Sequence, residues 1–177
     1  MWRVMTTTAS KVCQHVVERS GIWAVRQHWI FAWLRAVRIL WRYFALRGYK
    51  NPFTTIDNKD YYNFLCVAAV SIACKAENEC TQTNLWDIAS LIKCPWTDAM
   101  LEQLVTFERM LLALMEYRFL ASPTAACYWA EPERIEHLAK WLQFEVMVDP
   151  SILDLPAQEQ AWRAEMTVRA WRASFAL

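Results

Sequence analysis

From Phe64 to Ala76 the chain sets Phe64, Leu65, Val67, Ala68, Ala69, Ile72, Ala73 and Ala76 at helical spacing and leaves almost no polar face. A helix apolar on every side cannot lie on the outside of a protein, so the fold must supply enough neighbouring helices to cover it. Composition agrees, because 56% of the residues are hydrophobic while only 2 of 177 are Gly and 6 are Pro. A β-rich fold would need more glycine for its turns, so the chain is predicted to be all-α with proline-marked joints. Its length suits one medium domain, or one full and one partial domain.

The covering helices can be read on both sides of the central one. Residues 9–20 predict a short helix, Ala9 to Ser20, interrupted by Gly21. A longer one runs from Ile22 or Trp29 to Leu46, with Ile30, Trp33, Leu34, Val37, Leu40, Trp41 and Phe44 at three-and-four spacing, and Gly48 and Pro52 mark its end. Asn51 to Asp60 reads as polar loop, and Tyr61–Glu77 is the central helix. Asn84 can cap a short helix through Ile92. Thr97 or Asp98 starts another through Met115, expected to bury Leu101, Leu104, Val105, Phe107, Leu111, Leu112 and Leu114. Pro123 opens the next segment, Pro132 begins a helix through Phe144, and Asp149-Pro150 and Leu155-Pro156 punctuate the approach to a last helix, Ala157–Ala176. No strand alternation of useful length and no internal repeat interrupt this series.

Charge is unevenly spread. The net charge is only +1, which argues against whole-protein nucleic-acid binding, yet residues 1–50 hold nine Lys/Arg against the single Glu18. Eleven Trp add large anchors suited to helix packing and to a partner surface. A basic, Trp-rich first third fits an acidic partner, a membrane surface or a targeting receptor. Arg3, Lys11 and Arg19 interrupt any apolar run that would make a secretory signal, and a basic mitochondrial presequence is a lesser alternative. Ile22–Leu46 is no membrane span, since Arg26, Arg35, Arg38 and Arg42 would each cost roughly 2.5–3.5 kcal/mol at mid-bilayer. Cys13, Cys66, Cys74, Cys80, Cys94 and Cys127 form no CxxC pair, which reads as reduced thiols in a nuclear or cytoplasmic protein.

Catalytic chemistry finds little support. His15, His28 and His137 fall in three different helices without HExxH spacing, and neither Gly21 nor Gly48 belongs to a phosphate-binding loop. Cys74, Cys80 and Cys94 are irregularly spaced with no fourth metal ligand, and Glu131/Glu133 and Asp149/Asp154 sit where capping explains them. No enzyme activity, metal or cofactor is therefore expected. Two charges in apolar surroundings stand out instead: Lys75 near the end of the central helix and Glu108 inside the helix that follows Asp98. On neighbouring helices they would serve recognition, fixing orientation at the rim of an apolar patch, or would simply pair with each other at the surface.

YYNFLCVAAVSIACKAE, Tyr61–Glu77, resembles the third helix of a cyclin box, with Val67-Ala68-Ala69 and Ala73-Cys74-Lys75 followed by Glu77 and Asn78. Leu104–Phe119, LVTFERMLLALMEYRF, resembles the fifth helix, Asn84–Ile92 the short fourth, and Ser122-Pro123-Thr124 the linker to a second box. Ile135–Leu142 and Asp149 to Pro156 resemble second-box elements, so the likeness covers roughly residues 60–160. The first third fits in two registers. Leu34-Arg35-Ala36-Val37 with Trp41 resembles the first-helix element that docks substrates, whereas Trp41-Arg42-Tyr43-Phe44 resembles the end of the second helix. The second register is preferred, because the first would leave the apolar faces of helices three and five uncovered.

The resemblance implies a five-helix cyclin box in residues 1–120 and a partial second box in 121–177, the latter stopping soon after its third helix begins. Gln158, Glu159 and Gln160 stand where the family has an apolar run. It further implies a non-catalytic subunit that binds a cyclin-dependent protein kinase at its C-helix through Lys75 and Glu108, with no direct nucleic-acid partner. Leu34, Arg35 and Trp41 would be the substrate-docking group in the first register. The rival expectations are a pseudo-cyclin scaffold for another partner, and a basic amphipathic membrane-associated protein built on residues 22–47.

Overall fold

The computed structural model describes residues 1–19, 28–77, 85–92, 96–116, 124–129 and 135–175. They are all-helical, with helices α1 (Trp2–Arg19), α2 (His28–Arg47), α3 (Asn58–Glu77), α4 (Leu85–Ser90), α5 (Asp98–Leu114), α6 (Ile135–Val148) and α7 (Ala157–Ser174). Two 3-10 turns, Ala125–Tyr128 and Pro150–Asp154, accompany α6 and α7. The chain divides into two compact units, Met1–Ser122 and Pro123–Leu177. Gly21, the Asn84 cap, Cys80, Cys94, Ser122-Pro123, Glu131/Glu133 and Pro132 lie outside the described residues.

In the first unit α3 is the central rod. Every residue from Phe64 to Cys74 is buried, and α1, α2, α4 and α5 all pack against it. Each large apolar side chain withdrawn from water there contributes roughly 1.5–3 kcal/mol before ordering entropy is subtracted. The helix begins three residues earlier than its apolar pattern suggested, because the Asp57 carboxylate accepts the backbone N–H of Asp60 at 2.8 Å and caps the first turn.

α2 is buried almost all round, including Ile30, Trp33, Leu34, Val37, Leu40 and Phe44. Its apolar stripe faces α1 and α3, which leaves that face no lipid surface to enter. Gly48 ends it at φ +74°, the left-handed conformation that a residue without Cβ adopts cheaply, and its N–H donates to Phe44 O at 2.8 Å. Tyr43 and Tyr61 join α2 to α3 by a buried hydroxyl pair at 2.9 Å.

α1 starts at Trp2, seven residues before the expected Ala9. Thr6, Thr7 and Thr8 argue against helix locally, but Thr6 Oγ1 donates back to Trp2 O and Arg3 O, and Thr6 O accepts Trp33 Nε1 at 3.1 Å. Trp2 packs edge-on against Trp41 and Phe44. Tertiary contacts thus override the weak local propensity. In α5, Thr97 caps by accepting from Met100 N–H, as its position suggested. Only Leu104, Phe107, Leu111 and the following Met115 are buried, while Leu101, Val105, Leu112 and Leu114 lie on the flanks, half-buried.

In the second unit α6 reaches Val148, four residues past the expected Phe144, because Val146 faces inward and Pro150 supplies the stop. Asp149 then caps the 3-10 turn, accepting from Ser151 N–H at 3.0 Å and Ser151 Oγ at 2.6 Å. Gln160 is buried, and its amide donates to Leu155 O at 2.9 Å, so a polar residue in this helix earns its place by satisfying the turn's carbonyls. Among the described residues no helix is long and apolar enough to cross a membrane.

Candidate functional site

Ser71 and Lys75 are four residues apart and therefore share one face of α3. Opposite them α5 delivers Glu108. Lys75 Nζ donates to Glu108 Oε1 at 2.7 Å, and the same oxygen accepts Ser71 Oγ at 2.6 Å. The three groups differ sharply in exposure: Ser71 is fully buried, the Glu108 side chain is 14% exposed, and that of Lys75 is 48% exposed. The acid is thus held from below by a buried hydroxyl and from the side by an ammonium that still faces water. Lys75 also sits in the last turn of α3, where a cation complements the helix dipole.

A second ion pair closes the same end of α3. Arg35 of α2 donates its Nε to Glu77 Oε1, with both side chains largely withdrawn from solvent. Leu34 is buried beside it, and Trp41 is half-buried against Trp2. The structure therefore brings Lys75 and Glu108 together and turns Leu34 and Arg35 inward, where neither presents a surface to a substrate. An arginine in a helix otherwise apolar is buried only when a carboxylate meets it. Glu77, the last residue of α3, supplies that carboxylate. Ser71 gave no such signal, since a serine in a buried helix ordinarily bonds its own backbone.

The histidines His15 and His137 are dispersed. His15 Nδ1 lies 3.1 Å from Lys11 O, and His137 Nε2 accepts from Trp141 Nε1 at 3.3 Å in the other unit. Cys13, Cys66 and Cys74 are buried. Burial pushes the Cys13 thiol well above its ordinary value, and hydrogen bonding with Cys74 adds to this. Burial pushes the Cys66 thiol up to about 12. Such thiols are poor nucleophiles and poor ligands at neutral pH. Among the described residues no cluster of three or more His, Cys, Asp or Glu could hold a metal ion.

Ser71, Lys75 and Glu108 thus form one connected polar group between α3 and α5. A pair of opposite charges held by two packed helices, with one end exposed, can orient a polar partner group. No family model, curated protein or solved structure matches the chain.

Proposed function

We propose that the chain is a non-catalytic regulatory subunit that binds a cyclin-dependent protein kinase at its C-helix and promotes the kinase's active state. The observation that carries this reading is the convergence of Lys75 and Glu108, 2.7 Å apart, from the central helix and its neighbour α5. Its support is threefold. Five helices precede residue 116 among the described residues, with α3 in the middle. Tyr61–Glu77 lies within α3, and the Leu104–Leu114 part of the second cyclin-like segment lies within α5. Finally, α2 carries Trp41-Arg42-Tyr43-Phe44 in its last two turns, which favours the register in which that segment closes the second helix.

In this reading Lys75 contributes its exposed ammonium and Glu108 its carboxylate to groups of the kinase C-helix, while the surrounding helices supply apolar area. Pressing that helix inward lets the kinase form its own Lys–Glu ion pair and releases its activation loop for phosphorylation. Energetically the subunit has only to bind the active arrangement better than the inactive one. The chain itself then needs no nucleophile, base or cofactor.

The test is co-purification of cyclin-dependent kinase catalytic subunits with the wild-type chain, followed by a histone-type kinase assay. Glu108→Lys should weaken capture by several kcal/mol at most while helicity stays intact. The double swap Lys75→Glu with Glu108→Lys restores an internal pair but inverts the charges offered outward. It should recover thermal stability and fail to recover kinase binding. Full recovery of binding would reduce the pair to a structural role.

A further inference from the structure

The second unit carries an apolar face that its own fold does not cover. Phe144 and Val148 on α6, and Trp162, Met166, Trp171 and Phe175 along and just beyond α7, are between 41% and 74% exposed. They form one strip. Phe144, Val148, Trp162 and Met166 line a groove with a volume of about 510 Å³. Phe144 continues through Trp141 to Trp171 and Phe175 by ring contacts of 6.3, 5.9 and 4.9 Å. Side chains of this size, exposed to this degree, leave on the order of 600 Å² of apolar surface, the upper end of what a monomer normally shows.

We propose that this α6–α7 face is where two copies of the chain associate, as a two-fold dimer that packs α6 of each copy over α7 of the other. Two observations select a second copy as the occupant. The first is area: the strip and its polar margin come close to the roughly 800 Å² per partner that a standard stable interface buries. Its composition of Phe, Trp and Met is also that of an interface core.

The second observation is charge. The charged residues lining the groove are Glu145 and Asp149 on the α6 wall and Arg163 on the α7 wall, so the two walls are of opposite sign. Arg163 lies 3.8 Å from Glu159 one turn earlier in α7. The helices run antiparallel, as the pairings His137 with Trp171 and Glu145 with Thr167 require. A two-fold axis lying in the face and parallel to the helices exchanges the walls but keeps each residue at its own height. It therefore carries Arg163 of one copy over Asp149 of the other, twice per dimer, and lays the apolar side chains of one copy on those of the other. A face with an acidic wall and a basic wall at the same level complements itself after a half-turn, which is the requirement of an isologous contact. The product is a four-helix arrangement of the ordinary antiparallel kind.

The test is sedimentation equilibrium of the full chain across a concentration series. Wild type should reach a dimer, and Phe144→Ser, at an exposed position, should weaken association at least about tenfold with unchanged helicity. Arg163→Glu and Asp149→Lys should each weaken it alone, by like-charge repulsion across the axis, and an equimolar mixture of the two should recover a heterodimer. Because each variant serves as the other's control, local misfolding of either would block the recovery and be visible by circular dichroism. A wild-type monomer at all concentrations would overturn the proposal. So would a mixture of correctly folded variants that fails to pair, or a strip that binds anionic vesicles while the chain stays monomeric.

Discussion

Glu108 faces two neighbours of different kinds, and substitutions that separate them decide what the site is for. Glu108→Gln keeps an oxygen for the buried Ser71 hydroxyl and removes only the charge opposite Lys75. Because the Lys75 side chain is 48% exposed, that charge pair is worth about 0.2–1 kcal/mol to stability. Glu108→Ala also strips Ser71 of its acceptor. Ser71 is fully buried, so an unpaired hydroxyl there costs about 1–3 kcal/mol, less if Oγ turns to the carbonyl one helical turn back. Lys75→Met removes the ammonium alone and should cost no more than the glutamine variant. Each 1 kcal/mol corresponds to a melting shift on the order of 3–6 °C for a unit of this size.

Binding should rank the same variants differently. A hydrogen bond to a charged group at a desolvated contact is worth about 1.5–3 kcal/mol, so Glu108→Gln and Lys75→Met should each weaken kinase capture by roughly 10- to 150-fold. The assay pairs a thermal melt followed by circular dichroism with calorimetric titration against the kinase catalytic subunit. The expected outcome is a glutamine variant that melts within a few degrees of wild type and binds poorly. If Glu108→Gln binds like wild type, and Glu108→Ala loses binding only in proportion to its lost stability, the carboxylate is a structural element of the α3–α5 seam and the recognition argument fails.

Three further outcomes test the packing around that seam. Arg35→Ala or Glu77→Ala should cost about 3–5 kcal/mol by leaving a charge buried without its partner, whereas replacing both with Leu should be far milder by chemical denaturation. Tyr43→Phe and Tyr61→Phe should each cost about 1–3 kcal/mol, and the double variant less than the two together, because it leaves no buried hydroxyl unpaired. Native alkylation at pH 8 followed by peptide mass spectrometry should label the exposed Cys127 and spare Cys13, Cys66 and Cys74 until denaturant is added. Burial holds Cys13 and Cys66 protonated at that pH.

The central helix was legible because an unbroken apolar run has only one stable place in an all-helical unit, and Gly48, Thr97 and Pro150 punctuate the chain by local backbone chemistry that needs no tertiary knowledge. What escaped depended on contacts distant in sequence. The first turns of α1 exist because Trp2 meets Trp41 and Trp33 reaches Thr6 O, contacts that no window around Thr6-Thr7-Thr8 contains. The proximity of Lys75 and Glu108 was one of two readings open from the sequence, but the part played by Ser71 was not, since serine's usual behaviour in a helix hides it. Arg35, which only the less favoured register assigned to a docking surface, is turned inward, because Glu77 provides the charge that makes its burial tolerable.

On the proposed reading the pair serves recognition despite contributing little to stability. Lys loses much rotamer freedom when a partner fixes it, a cost of about 1.5–2 kcal/mol that normally comes out of binding energy. At this site part of that ordering occurs on folding, because Glu108 already holds Nζ, and Ser71 already holds Glu108 against α3. On that reading a partner would meet two oppositely charged groups whose spacing is set by two packed helices, and would mainly have to displace water from the exposed end of Lys75. Replacing Ser71 with Ala should therefore leave the charges in place but loosen Glu108, weakening binding by a few-fold with most of the change in the dissociation rate. An unchanged dissociation rate would show that the hydroxyl orders nothing the partner needs.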